Sequence, residues 1–103
     1  MIDWKRAFEK LPREDLEHNR EVIEFINKLV NTTMQIYRKQ GNMKKHEKTL
    51  KALLRKLPNM RRDIAQTIYP TLMQAIEDFL PPEMAQKIKE ECTESILELE
   101  LSK

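Results

Sequence analysis

The chain has 103 residues, enough for one domain with a modest core. It holds a single glycine where average usage gives roughly 7, which excludes a phosphate-cradling glycine loop or a dinucleotide-binding fingerprint and argues against an all-β fold. Charged residues make up 35% and aromatics 6%, with a formal net charge of +2, as suits an all-helical chain with long charged side chains on its surface.

The first ten residues carry Asp3, Lys5, Arg6 and Glu9 in place of the apolar stretch of a secretory signal. Asp3 suits the N-cap of a first helix reaching about Leu11, with Trp4, Ala7, Phe8 and Leu11 at helical spacing. Pro12 punctuates. A second helix is expected from about 13 to 40, with an apolar stripe of Leu16, Val22, Ile23, Ile26, Leu29, Val30, Met34 and Tyr37. Gly41 sits where a left-handed C-cap is wanted, and Asn42 follows as an N-cap. The string Arg38–Met43 therefore reads as helix, tight turn, helix.

A third helix is expected from 43 to 57, burying Met43, Leu50, Leu53, Leu54 and Leu57 and ending at Pro58. Asn59 is placed to cap a fourth, from Met60 to Leu80, with Ile64, Ile68, Leu72, Met73, Ile76 and Phe79 inward and a kink or split near Tyr69 caused by Pro70. A fifth follows from about 82, with Met84, Ala85, Ile88, Cys92, Ile96 and Leu99 on one side. At the end, Leu97, Leu99 and Leu101 alternate with Glu98 and Glu100, a strand period, so 98–103 reads equally as a flexible tail. If the helix continues, Leu97 and Leu101 leave its inward face. The expectation is one all-α domain over 1–103, a bundle of four or five helices. Its core includes Trp4, Phe8, Ile23, Ile26, Val30, Leu50, Leu54, Leu57, Ile68, Leu72, Ile76, Phe79, Ile88 and Cys92.

Charge is distributed in blocks. Residues 1–37 hold six Lys/Arg and seven Asp/Glu; residues 38–62 hold ten Lys/Arg against Glu47 alone, a net of +9; residues 63–103 hold three lysines and nine acids, a net of −6. At about 100° per residue, Lys44, Lys48, Lys51 and Arg55 share a sector of roughly 60°, nearly opposite the leucines of the same helix. Lys45 and Lys56 flank that stripe, Arg38 and Lys39 enter from the turn before it, and Arg61 and Arg62 from the turn after. Crowded like charges repel by a few tenths of a kcal/mol per pair, so an anionic surface is expected opposite them.

That stripe has three readings. The first is the phosphate backbone of DNA or RNA, which a spaced row of Lys and Arg suits. The second is an acidic protein surface, in the chain itself, in a second copy or in a partner. The last helix offers a row of Glu83, Glu90, Glu94 and Glu98, and Glu90, Glu94, Leu97, Glu98 and Leu101 form the candidate contact set for a regulator or homodimer. The third is plain solvent. Phosphate contact ranks first.

Base reading has less support. A DNA-binding helix-turn-helix wants a small residue four positions before its turn glycine and an aliphatic residue six after, where this chain has Tyr37 and Glu47. Aromatic platforms near the basic stripe amount to Tyr37 and Tyr69.

Catalytic chemistry finds few footholds. Cys92 lies on an apolar stripe with no neighbouring histidine, and serine occurs only at 95 and 102. His18 has Glu14, Asp15 and Glu21 at helical spacing, but the only other histidine, His46, stands among lysines, so an ion-pair cluster is expected rather than a metal centre. His46 itself reads as a helix-flank residue without chemistry. No catalytic residue, metal or cofactor is assigned. One cysteine excludes an intrachain disulfide and suits a reducing compartment, so the location expected is cytoplasmic, or nuclear in a eukaryote. No apolar run of about 18 residues exists to span a membrane.

Overall fold

The computed structural model describes residues 2–102. Among these it has seven α-helices and no strand: α1 Trp4–Ala7, α2 Arg13–His18, α3 Arg20–Tyr37, α4 Met43–Lys56, α5 Arg62–Phe79, α6 Pro82–Glu91 and α7 Thr93–Leu101, with a 3-10 turn at Leu57–Asn59. The all-α class is as expected, and the subdivision is finer.

Asp3 caps α1 through the Arg6 N–H, but the helix ends at Ala7 instead of reaching Leu11. The expected second helix breaks at Asn19. Its backbone is extended (φ −87°, ψ 98°), and its side-chain oxygen accepts from the Val22 N–H while its amide donates to Asp15. A capping residue inside an apolar pattern has here started a new helix. The buried face of α3 is also turned from the expected one. Val22, Phe25, Leu29, Thr32, Thr33 and Ile36 are buried, while Ile23, Ile26, Val30 and Met34 are half-buried and Tyr37 is exposed. Thr33 joins the core because its hydroxyl donates to the Leu29 carbonyl 2.8 Å away.

The α3–α4 junction falls where Gly41 puts it, with one correction. The left-handed residue that closes α3 is Lys39 (φ 56°), not Gly41. The Gln40 N–H donates to the Gln35 carbonyl and the Lys39 N–H to the Ile36 carbonyl, the paired bonds of a Schellman cap. Gly41 (φ 77°) is a second left-handed residue, and Asn42 then caps α4 through the N–H groups of Lys44 and Lys45. His46 is no idle flank residue: it is buried, and its ring Nε2 lies 2.7 Å from the Gln40 carbonyl, which can only accept, so the ring ties the turn to α4. A Cβ at Gly41 would stand 2.8 Å from that Nε2. Gly41→Ala is therefore expected to destabilise by about 1–2 kcal/mol from the left-handed backbone, and further if the His46 bond is lost; thermal unfolding checks it.

Helix α5 runs through Pro70 without splitting, and it begins at Arg62 rather than being capped by Asn59, which lies in the 3-10 turn. Pro70 faces solvent, where the helical bond it removes costs least. The expected fifth helix bends at Cys92 (φ −111°, ψ 24°) into α6 and α7, and α7 continues through Leu101, so the alternating leucines form no strand.

The core gathers Phe8, Leu50, Leu54, Leu57, Ile68, Leu72, Ile76, Ile88 and Cys92 as expected, together with Phe25, Leu29 and Leu99. Trp4, Ile26, Val30 and Phe79 pack against it half-buried, and Ile23 stays outside the cluster. Helix α4 lies at the centre of the basic region, with α3 on one flank and α6 on the other.

Candidate nucleic-acid interface

Helix α4 buries His46, Glu47, Leu50, Leu53 and Leu54, so the opposite sector, with Lys44, Lys48, Lys51 and Arg55, forms its outer crown. The crown divides in two. Its second half leans on α6: Lys51 Nζ lies 2.7 Å from Glu91 Oε2, and Arg55 Nη2 donates to the Glu91 carbonyl at 3.2 Å, at the exposed carbonyl end of α6. This contact lifts the Lys51 ammonium above its usual range and holds the Glu91 carboxyl below its own. The acidic and basic blocks thus meet within the chain, but through Glu91 and not through the row of Glu83, Glu90, Glu94 and Glu98. The bend at Cys92 divides that row between two helices.

The first half of the crown is open. Lys44 and Lys48 are exposed, as are Arg38 and Lys39 in the preceding turn and Lys45 and Lys56 on the α3 side; none takes part in a salt bridge among the described residues. Glu47, the one acid of this block, is buried beneath them. Its nearest cation is Lys87, with Nζ 3.9 Å away, and its Oε1 accepts no hydrogen bond. It therefore neutralises none of the exposed lysines.

Arg61 and Arg62 serve the fold. Arg61 forks onto Asp15, with Nη1 and Nη2 at 3.3 and 2.6 Å from its two oxygens, and also donates to Asp63 from Nε at 2.6 Å. Arg62 donates to the Ser102 carbonyl at 2.9 Å and so fastens the end of α7. Asp15 is buried and is held below the usual carboxylate range by its bonds from Asn19 and Arg61; Asp63 is lowered by Arg61. A depressed carboxylate stabilises the fold fully above its ordinary value, near 4, and loses that contribution as pH falls through its folded value. The melting temperature is expected to fall with pH below about 4, and the fall should be shallower in Arg61→Ala than in Arg38→Ala. Equal acid limbs would contradict the pairing.

Between α3 and α4 runs an open groove of about 850 Å³. Lys45, Lys48 and Lys56 line it from α4 and Lys28 from α3, with Thr32, Thr49, Ala52 and Leu53 also in its lining. Glu24 is the one acid along it. Lys28 lies far from the basic block in sequence and carries no local sign of its place here. Its spacing of four residues from Thr32 on α3 becomes meaningful only once α4 folds back.

The other constellations do not assemble into chemical sites. Asp15 turns inward to Asn19 and Arg61, while the carboxylate near His18 is Glu17, 3.9 Å from its Nε2. No cluster of metal-ligating side chains forms among the described residues. Cys92 is buried, and burial pushes its thiol up, which disfavours the thiolate. No helix of the described residues is long and apolar enough to cross a membrane. Comparison with known protein families, characterised proteins and solved structures finds no match to the chain.

Proposed function

We propose that the protein is a small, non-enzymatic nucleic-acid-binding protein, or a subunit of a nucleoprotein complex, that holds the phosphate backbone through the start of α4 and the turn before it. The observation that carries this reading is the set of exposed cations at that end, Lys44, Lys48, Lys45, Arg38 and Lys39, with no carboxylate paired to them among the described residues. Lys44 and Lys48 are one helical turn apart, about 6 Å along the axis, close to the spacing of successive phosphates. Ala52 is the exposed apolar residue of α4, and the centre of a protein interface is depleted in charge, unlike this lysine-rich crown. Lys51, Arg55, Arg61 and Arg62 have the separate task of holding α6, α2 and α7.

The test is fluorescence anisotropy with labelled duplex DNA, duplex RNA and single strands, each in two unrelated sequences. Backbone contact gives similar affinity for the two sequences of each type, since phosphates carry no base information. Absence of binding at about 50 mM salt to every probe overturns the proposal.

A further inference from the structure

Leu97 and Leu101 are 54% and 82% exposed, one turn apart on a helix whose other side, through Ile96 and Leu99, belongs to the core. Glu94 and Glu98 lie beside them on the same outer face and are unpaired among the described residues. The outer face of α7 is thus a short leucine strip bordered by carboxylates. Two such faces packed antiparallel would oppose their glutamates, so the mate that suits α7 best combines apolar surface with positive charge.

The α3–α4 groove has that combination. Ala52 and Leu53 are its apolar lining residues. Lys28 and Lys56 stand along it, free of salt bridges among the described residues. Residues 94–101 extend about 10 Å along their helix, and the α4 wall from Lys45 to Lys56 about 16 Å, so the strip fits within the groove's length.

We infer that the outer face of α7 from one copy of this chain docks in the α3–α4 groove of a second copy. Leu97 and Leu101 lie against Ala52, and Glu94 and Glu98 meet Lys28 and Lys56. The two surfaces are different patches of the molecule, so the contact is head-to-tail, and assembly grows with concentration unless a ring closes. Lys45 and Lys48 line the groove, but Lys44, Arg38 and Lys39 lie outside its lining, so the contact is tested at Lys28, Lys56, Leu97 and Leu101, where its failure leaves the nucleic-acid reading standing.

Light scattering on the full chain across a concentration series tests the contact. Wild type is expected to exceed the 12.4 kDa monomer mass increasingly as concentration rises. Two variants, Leu97→Glu/Leu101→Glu and Lys28→Glu/Lys56→Glu, are each expected to stay monomeric, with circular dichroism confirming the helical fold. Mixed together they are expected to form a one-to-one pair that grows no further, because the first keeps an intact groove and the second an intact α7. A wild type that stays monomeric at millimolar concentration overturns the inference. So does association that survives Lys28→Glu/Lys56→Glu, or the absence of a pair in the mixture.

Discussion

Reversing the charge at Lys44 and Lys48 together is expected to weaken nucleic-acid binding on the order of 100-fold at about 0.1 M salt, since each neutralised phosphate contributes close to one power of the salt concentration. The fold should survive. Both side chains are exposed and neither forms a salt bridge among the described residues, and Glu47 has Lys87 as its neighbour. The matching change at Lys51 is expected to behave differently. Lys51→Glu sets a carboxylate against Glu91 and loosens α4 from α6, so it should lower the melting temperature. Titration of a labelled duplex beside thermal unfolding separates these outcomes. Equal loss of binding from Lys44→Glu/Lys48→Glu and from Arg61→Ala, which lies at the other end of the basic block, would count against a localised surface.

The second large effect belongs to the core. Leu54 is completely buried, on the α4 face that meets the rest of the cluster. Leu54→Ala is expected to destabilise by about 2–5 kcal/mol, from lost burial and from the cavity left behind. Chemical denaturation measures it. A small domain commonly has only about 5–15 kcal/mol in total, so this variant should lose a large fraction of its stability. A cost under about 1 kcal/mol would mean that Leu54 is not at the centre of the packing.

The helical class, the Gly41 junction and the leucine face of α4 were legible because they rest on local chemistry: periodicity, a capping Asn42, and few glycines. What was not legible depends on tertiary neighbours. On α3 two apolar faces compete, and the more hydrophobic one, with Ile23, Ile26, Val30 and Met34, is the less buried. The winning face includes Thr32 and Thr33, and the helix's own Leu29 carbonyl satisfies the Thr33 hydroxyl, which hydropathy does not register. Lys39 in a left-handed conformation is hidden for a similar reason, because lysine seldom adopts it and the nearby glycine draws the assignment.

The basic stripe was legible as a stripe, but not its division. Lys48 and Lys51 are equivalent in sequence pattern, and only the approach of α6 gives Lys51 a salt-bridge partner, while Lys48 has none among the described residues. The acidic partner was misplaced because the row of Glu83, Glu90, Glu94 and Glu98 presumes one straight helix. The bend at Cys92 turns Glu91 toward α4 instead. Lys28 had no local signal at all.

The most direct test of the central claim is the dependence of duplex affinity on salt. With Lys44, Lys48, Arg38 and Lys39 on the phosphates, the slope of log K against log salt is expected near −3 to −4, flattening by about two in Lys44→Glu/Lys48→Glu. A slope near zero, or one that those two substitutions leave unchanged, would contradict it.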